Sequence, residues 1–516
     1  MIRMSSEYQD YLRDESRSTG HAEHIAFPVC EDDVREALGQ AAGCRVTVQG
    51  ARTGLAAGAV PRGGLILNLN KMNKILGLRY DDEKQCFLLR VQPGVLLSQV
   101  RRALHDLSFD ISNWDEDAKT ALSLLRKSGL WFFSPDPTET SATIGGMVAC
   151  NASGARSFHY GPTRDYVEAL RVVFSDTSVA DLRRGREMVS SGQFSFQTDS
   201  GSIVSGTLPS LPLPQVKNAS GYYLQEDMDL LDLFIGSEGT LGVITEVEIR
   251  LQPLPASIWG VTVFLPGTGE ALGFVQDLRT ELSPVAIELF DHRALQLLRE
   301  QGHAGNLEDD HHTAVYAEFH GNAKEEVRNM VFRSGEIAVR HGAREERTWV
   351  ATNYHDLERL YLFRHATPET VNSLIDRRRQ RDPGITKLGT DMAVPDDELV
   401  AIVDLYNRGI KAEGLEAVMF GHIGDNHIHV NILPRSMDDY VRGRQLYHDW
   451  AREVIARGGT VSAEHGVGKM KVAMLRDMVG PKGVQMMRDV KRIFDPSGVL
   501  CMGNVFDEDV TVGEIS

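Results

Sequence analysis

The sequence lacks the features that mark several large classes of protein. Only five of its 516 residues are cysteines, they occur singly, and their number is odd. Neither a disulfide framework nor a thiolate metal site is therefore indicated, and a reducing cytoplasm is the expected compartment, with peripheral contact to a membrane left open. No apolar run approaches the roughly 20 residues of a membrane-spanning helix, and the polar N-terminus is not typical of a secretory signal.

Positive charge is also scarce. The chain has 55 Lys and Arg against 72 Asp and Glu, which gives a net charge of −17. This balance argues against nucleic acid as a partner and against electrostatic attachment to anionic membranes. An anionic substrate must therefore be bound by a local cluster of basic residues. The length exceeds that of one ordinary core, so two or three domains are expected.

Two common nucleotide-binding signatures are absent, although the first half of the chain is rich in glycine. The run from Gly50 to Pro61 matches neither G-x-G-x-x-G nor G-x-x-x-x-G-K-[ST]. It follows a predicted helix at Glu31–Ala42 and joins predicted strands at Arg45–Val48 and Leu65–Leu69. Its small residues let backbone N–H groups approach an anion such as a pyrophosphate, although such a run is more often only a turn.

Two further clusters of small and hydroxyl residues follow, at Ser134–Gly154 and Gly236–Ile244. Their density indicates close contact with a large ligand or very tight packing. The second cluster leads into a predicted strand of alternating apolar and polar residues that ends at Leu251. Two prolines follow this strand and mark a predicted domain boundary. Beyond it, strands such as Ala314–Phe319 alternate with long helices, including Tyr354–Arg378 and Met437–Arg457, and a last helix begins near Gly483.

The most informative part of the chain is the segment Gly421–Asn431. Its apolar residues alternate with His427, His429 and Asn431, so the period of two places these three polar residues on one face of a strand. His422 precedes a Gly-Asp-Asn turn signal, which allows the chain to fold back and bring His422 near His429.

A second motif, Ser462–Gly468, supplies a carboxylate and a further imidazole. Two histidines with Glu464 would form a two-histidine, one-carboxylate set that leaves coordination positions open for substrate or water. His465 would then lie near the reacting atom. A single histidine in such a place more often caps a strand, but four polar residues set in glycine-rich turns favour a metal site.

The order of these motifs resembles the FAD-linked D-2-hydroxyacid dehydrogenases of the vanillyl-alcohol oxidase type, which include D-lactate, glycolate and D-2-hydroxyglutarate dehydrogenases. The resemblance runs from about Tyr8 to about Phe506. It implies an α+β chain with a two-part FAD-binding domain at residues 1–255. An α/β substrate-covering domain with the metal site would span residues 256–482, and a C-terminal tail, 483–516, would return to the FAD domain.

The resemblance also implies residue roles. No histidine stands in the Gly50–Pro61 loop, where related flavoproteins attach the flavin covalently, so the FAD should be noncovalent. The implied cofactor-binding residues are Gly50, Arg52, Thr53, Gly54, Pro135, Thr138, Thr143, Gly145, Gly146, Asn151, Ser153, Gly154, Glu238, Gly242 and Ile244.

The family's metal motif G-H-x-G-D-G-N-x-H implies that His422, His429 and Glu464 hold a divalent metal. Zinc suits these ligands best, with manganese and iron also open. The motif departs at Asn426 and His427, where the family usually has Gly-Asn, and this offers His427 as an extra polar contact. The implied catalytic base is His465, and the implied substrate contacts are Arg364, Asn431 and Lys387.

The implied reaction is oxidation of a D-2-hydroxy acid, of the D-lactate or D-2-hydroxyglutarate type, to the 2-oxo acid by metal-assisted hydride transfer to FAD. Electrons would pass to a quinone, an electron-transfer flavoprotein or a cytochrome. The alternatives are a metal-dependent hydrolase or lyase without flavin, a flavin-bearing electron-transfer subunit with a vestigial substrate site, and a flavin-dependent transferase on the same fold. The hydroxy acid, the acceptor and the oligomeric state, with a homodimer as one option, are left open.

Two segments depart from the family pattern. Cys501–Asn504 stands where many members read Asn-Pro-Gly-Lys, which weakens any statement about contact between the tail and the flavin. The charged segment Trp114–Lys127 is longer than the family leads us to expect and is interpreted as a surface excursion.

Overall fold

The computed structural model describes residues 1–301 and 312–507. Residues 302–311 of the predicted substrate-covering domain and residues 508–516 of the predicted tail lie outside these ranges. Within them the chain is mixed α and β, as the sequence predicts. No helix in the described ranges has both the length and the apolar character needed to cross a membrane.

The first half of the chain consists of short strands and few helices. Its strands are β1 (Ile2–Arg3), β2 (His24–Ala26), β3 (Val46–Gln49), β4 (Leu65–Asn68), β5 (Ile75–Asp81), β6 (Cys86–Val91), β7 (Trp131–Phe132), β8 (Val167–Val173), β9 (Val179–Arg183), β10 (Met188–Val189), β11 (Gln193–Gln197), β12 (Ile203–Thr207), β13 (Met228–Asp229), β14 (Val243–Arg250) and β15 (Gln252–Pro253). Its helices are α1 (Glu31–Gln40), α2 (Leu97–Asp106), α3 (Glu116–Leu125), α4 (Ile144–Cys150), α5 (Ser157–Tyr160) and α6 (Leu231–Phe234).

The second half has longer helices. Its strands are β16 (Ser257–Leu265), β17 (Ala286–Phe290), β18 (Thr313–Gly321), β19 (Trp349–Ala351), β20 (Leu388–Gly389), β21 (Ala417–Gly421) and β22 (His429–Ile432). Its helices are α7 (Thr268–Glu281), α8 (His292–Glu300), α9 (Lys324–Arg340), α10 (Tyr354–Arg379), α11 (Leu399–Glu413), α12 (Met437–Ala456) and α13 (Val472–Phe494), the last being kinked at Gly480.

Two sheets organise the first half. A four-stranded sheet has the order β1-β2-β4-β3, with β4 parallel to both of its neighbours. An antiparallel five-stranded sheet has the order β5-β6-β14-β8-β9. The glycine-rich run from Gly50 is the connection that leaves β3, and the cluster that begins at Gly236 leads into β14. Both clusters therefore lie in loops at strand ends, where binding residues are commonly found.

The second half is built on a seven-stranded antiparallel sheet with the order β19-β16-β18-β17-β21-β22-β20. β21 and β22 form a hairpin that pairs Phe420 with His429. β17 pairs with β21 so that Leu289 lies opposite Gly421, which brings the adjacent Glu288 to the hairpin. This register positions the candidate site.

The segment Trp114–Lys127 is not a surface excursion, and that interpretation was wrong. Residues 116–125 form α3, whose apolar side is buried in the same core as the five-stranded sheet. The Trp114 indole donates a hydrogen bond to the Ile75 carbonyl at the start of β5. The charged residues that suggested a surface excursion are the solvent face of an amphipathic helix.

The C-terminal segment packs on the first half of the chain. Gly480 has non-helical φ and ψ and divides α13 into two helical parts, of which the second begins close to the predicted Gly483. The Phe494 ring of this second part lies against Phe174, Phe194 and Phe234. Cys501 then donates its backbone N–H to the Val46 carbonyl at the start of β3. The division into domains stays a prediction, but these contacts are those expected of a tail that returns to the first half.

Candidate functional site

Three histidines surround the carboxylate of Glu464. The Nε2 atoms of His422 and His429 each lie 3.3 Å from Glu464 Oε1, and His427 Nδ1 lies 3.9 Å from Glu464 Oε2. One ligand atom from each of the four residues lies within 4.8 Å of the others. The two-histidine set of the sequence prediction is therefore brought together, and His427 lies beside it.

Each of these imidazoles has its second nitrogen next to an acceptor. His422 Nδ1 lies 2.5 Å from Glu288 Oε1, and His429 Nδ1 lies 2.9 Å from the Thr390 carbonyl oxygen. His427 Nε2 lies 3.0 Å from Asp391 Oδ1. Acceptors on the far side of a ligating histidine fix its tautomer and ring orientation in metal sites, so this arrangement fits a bound cation.

The local backbone explains how the histidines converge. Gly421 has φ +129°, and a Cβ at that position would lie 2.8 Å from the His429 ring, so glycine is needed there. A short 3-10 turn at Ile423–Asp425 reverses the chain, and Asn426 closes it in the left-handed conformation with φ 52°. The predicted turn at this position thus brings the His422 and His429 ring centroids to 5.6 Å.

Asp391 holds the Glu464 and His465 loop in place. Its buried carboxylate accepts the backbone N–H groups of both residues, at 3.2 and 3.0 Å, together with the Ser462 hydroxyl at 2.6 Å and the Lys471 ammonium at 2.5 Å. Burial alone would raise the pKa of Asp391, but His465 and Lys471 lower it well below its ordinary value. Asp391 is therefore an anion at neutral pH.

His465 stacks on His429, with ring centroids 5.3 Å apart, and its Nε2 lies 3.6 Å from Glu464 Oε1. Burial lowers the pKa of His465 to about 4, although Asp391 opposes this shift. A neutral imidazole beside the cluster can accept a proton from a bound hydroxyl group.

Two cations face the cluster. Lys217 Nζ lies 3.0 Å from Glu464 Oε2 and donates a hydrogen bond to the Gly154 carbonyl. Arg364 Nε lies 3.2 Å from Glu288 Oε2, and this buried guanidinium makes no other ion pair with the described residues. Arg364 thus retains donors for an anion, and Glu288 links it to the His422 ring.

A cavity beside this cluster is lined mostly by residues of the first half of the chain. Its empty space is about 1460 Å³, open mouth included, and Glu464 and His465 are among the residues that line it. All but three of the predicted cofactor residues line it, and the exceptions, Pro135, Asn151 and Gly154, lie in the surrounding structure. Asn151 accepts the backbone N–H of Arg164, and Gly154 lies against the backbone of Asp136.

The walls of this cavity fit a dinucleotide with a pyrophosphate. The backbone N–H groups of residues 51–55 line it and donate no hydrogen bond to any residue in the described ranges. A Cβ on Gly54 would meet nothing within 4 Å, whereas one on Gly50 would lie 2.2 Å from the Thr143 hydroxyl oxygen. Such a run of unpaired N–H groups is a suitable anion cradle.

Glu238 connects the cavity to the cluster. It stands in the left-handed region with φ 53°, and its carboxylate accepts the backbone N–H groups of Val467 and Gly468 at 2.7 and 2.8 Å. These two residues belong to the loop that begins with Glu464 and His465. The same two hydrogen bonds therefore join a residue that lines the cavity to the loop that carries His465.

Two predicted substrate contacts lie less directly at the site. Asn431 is buried on β22, where its side chain packs against Gly389. Lys387 has no ion pair with the cluster among the described residues, and burial followed by the nearby Arg17 lowers the pKa of Lys387 to about 8.

Sequence reasoning missed Lys217, Glu288 and Asp391. Glu288 had a usable signal, since a carboxylate inside a wholly buried five-residue strand needs a buried partner. Lys217 and Asp391 stand in irregular segments with no periodicity. Their importance depends on tertiary contacts, most of them with residues more than 60 positions away in the sequence, which no local pattern reveals.

Two family models match different parts of this chain. The family model described as "FAD linked oxidases, C-terminal domain" matches residues 254–505. The family model described as "FAD binding domain" matches residues 22–115 and 119–183. A D-lactate dehydrogenase of Anaerostipes hadrus is 31% identical over 475 residues, covering 89% of this chain and 84% of that protein. A D-2-hydroxyglutarate dehydrogenase of Stutzerimonas stutzeri (strain A1501) is 27% identical over 495 residues, covering 93% and 90%.

Among solved structures, one described as alkyldihydroxyacetonephosphate synthase matches with a TM-score of 0.60. The match covers 92% of this chain and 75% of that one at 15% identity. A likeness at this identity concerns the fold alone, and it agrees with the predicted fold class.

Proposed function

This chain belongs to the family of FAD linked oxidases and is an FAD-binding oxidoreductase, and on that premise we propose that it oxidises a small D-2-hydroxy acid to the 2-oxo acid. The observation that carries the proposal is the continuity of the two sites. Glu464 and His465 line the cavity of the first half, and both lie at the histidine cluster. A substrate held at the cluster would therefore lie next to the cofactor cavity.

The residues present suit both groups that this chemistry needs. FAD, when bound, supplies a two-electron acceptor for the hydride that leaves the substrate Cα. A divalent metal, of which zinc is the best match to imidazole and carboxylate, would be held by His422, His429 and Glu464 and would lower the pKa of the substrate hydroxyl.

The chain's own groups then have distinct tasks. Neutral His465 takes the hydroxyl proton at its ring nitrogen, and Asp391 holds the backbone of that residue in place. Arg364 presents a planar fork to a substrate carboxylate, and Lys217 adds a second positive charge beside Glu464. The Glu238 contacts fix the loop so that these groups stay aligned with the cavity.

D-lactate and D-2-hydroxyglutarate are the first substrates to consider, because relatives are named for them. A hydrolase or lyase without flavin is not favoured, since the FAD binding domain is matched. The electron acceptor would be a quinone, an electron-transfer flavoprotein or a cytochrome, and the expected compartment is the cytoplasm.

The test is anaerobic mixing of the purified holoenzyme with a panel of D- and L-2-hydroxy acids while flavin absorbance is followed. We expect rapid bleaching by one or more D-acids and none by their L-enantiomers. Bleaching by L-acids alone, or by no hydroxy acid, would contradict the proposal. D-malate and D-2-hydroxyglutarate show whether a second carboxylate on the substrate speeds bleaching, and D-lactate is the monocarboxylate with which they are compared.

A further inference from the structure

His427 is the one imidazole of the cluster whose surroundings are incomplete. Its side chain is fully buried, and neither ring nitrogen makes a hydrogen bond of good geometry with a described residue. Nε2 lies beside the Asp391 carboxylate, whereas Nδ1 lies 3.9 Å from Glu464 Oε2. Buried polar atoms are paired in the great majority of cases, because an unpaired one loses the hydrogen bonds that it would make with water. Nδ1 therefore needs a partner that is not a protein atom.

The orientation of the ring shows where that partner would be. His427 Nε2 lies 3.0 Å from Asp391 Oδ1, so the Asp391 anion favours a proton on Nε2 and leaves the Nδ1 lone pair free. Nδ1 lies on the side of Glu464, 3.9 Å from its Oε2, and the ring centroid is 4.3 Å from that of His429. Ligand atoms that share one zinc ion at about 2.1 Å are roughly 3–4 Å apart, so Nδ1 is within reach of a shared ion.

We propose that His427 is a third imidazole ligand, so that this chain holds its metal with three histidines and Glu464. The inference rests on the proposed function, which supplies a metal held by His422, His429 and Glu464. It goes further in assigning His427 to the metal itself rather than to a polar contact beside it.

A third imidazole has two chemical consequences. One fewer coordination position remains open, so the substrate hydroxyl and carboxylate share a more restricted space. Imidazole also suits zinc, copper and iron, whereas oxygen ligands suit manganese, so His427 shifts the selectivity of the site towards zinc.

The first test is the zinc affinity of the FAD-loaded His427→Asn variant, measured by competition with a chromophoric chelator. Substitutions beyond the direct ligands typically weaken metal binding about 10–100-fold, so the loss of a direct ligand should weaken zinc binding at least about 100-fold. Manganese affinity should fall less, which lowers the zinc-to-manganese ratio.

The matched control is His341→Asn, which also removes a histidine paired with a carboxylate, since His341 Nε2 lies 2.9 Å from Asp277 Oδ2. His341 lies at the end of α9, outside the cluster, and its loss should leave zinc affinity unchanged. Zinc affinity in His427→Asn equal to that of the parent would overturn the inference and leave the proposed function intact.

The second test uses the unaltered protein and decides the matter if the variant does not fold. X-ray absorption of the zinc-loaded holoenzyme should show three imidazoles around the metal, and two would overturn the inference. If the parent enzyme binds neither zinc nor manganese, the metal must be removed from the proposed function, and the inference about His427 fails as well. The oxidation itself is tested separately, by flavin bleaching.

Discussion

At the scale of single residues, recognition of the substrate carboxylate should depend on Arg364. Its Nε contacts Glu288, and that contact orients the rest of the fork. Arg364→Lys keeps the charge but loses the paired geometry, and a lost hydrogen bond to a charged group costs about 1.5–3 kcal/mol. We therefore expect kcat/KM to fall roughly 10–100-fold.

The control for this change is Arg359→Lys, at an exposed position on the same helix. Steady-state kinetics should show no effect there. If the natural substrate is a dicarboxylate, the loss in Arg364→Lys should be larger for it than for D-lactate. Small, equal losses for both substrates would place Arg364 outside the site.

His465 is the residue on which flavin reduction should depend. General-base catalysis typically contributes about 10²–10⁴-fold, so His465→Ala should slow anaerobic flavin bleaching by roughly that factor. Metal content, FAD content and reoxidation by an artificial acceptor should stay close to normal, because the backbone contacts of residue 465 do not need its ring. Bleaching at the parent rate would show that the proton goes to another group.

At the scale of secondary-structure elements, the N-terminus of α8 carries a testable pH dependence. Asp291 caps this helix by accepting the Ala294 N–H at 2.8 Å, and burial raises the pKa of Asp291 to about 7. The folded state therefore binds this proton more tightly than the unfolded state, whose pKa lies near 3.8. The contribution of Asp291 to stability falls as the pH rises between about 4 and 7.

Asp291→Asn keeps a capping acceptor without the buried charge. Relative to the parent, the variant should gain about 1–3 kcal/mol of unfolding free energy at pH 8 and little or nothing at pH 4.5. Asp115→Asn, at the exposed N-cap of α3, is the control and should show no such gain. Denaturant unfolding at pH 4.5 and at pH 8 gives the free energy of unfolding of the parent and of both variants. An equal effect of Asp291→Asn at the two pH values would refute the argument.

The sequence predicted elements with a single periodicity well. The helices at Tyr354–Arg379 and Met437–Ala456 and the strand at Thr313–Gly321 lie within two residues of their predicted ends. It failed at Trp114–Lys127, because the charged face of an amphipathic helix was interpreted as a surface excursion. The roles of Asp391 and Lys217 depend on tertiary contacts, so local patterns did not predict them.

At the scale of the whole molecule, segments that are far apart in the sequence meet around the cofactor cavity. Four of them are the Gly50 loop, the start of α4, the turn before β14 and the loop that begins at Glu464. A ligand that binds only the folded state stabilises it by an amount that grows with its concentration, about 2.7 kcal/mol at 100 times Kd. The flavin should therefore hold these segments together, and its removal should lower Tm.

This effect is measurable only if the flavin can be removed. Of the residues that line the cavity, His465 and Cys150 are the candidates for a covalent bond. His465 is assigned to the substrate, and burial raises the pKa of Cys150 to about 12, so its thiol stays protonated and is a poor nucleophile. Acid precipitation should leave a colourless pellet and a yellow supernatant.

Readding FAD to the apoprotein should then raise Tm in proportion to the logarithm of its free concentration. A pellet that stays yellow would contradict noncovalent binding, and loss of that colour in Cys150→Ser would identify the attachment. A Tm that does not respond to FAD would show that the four segments are held by their own contacts, of which those of Glu238 with Val467 and Gly468 are the strongest candidates.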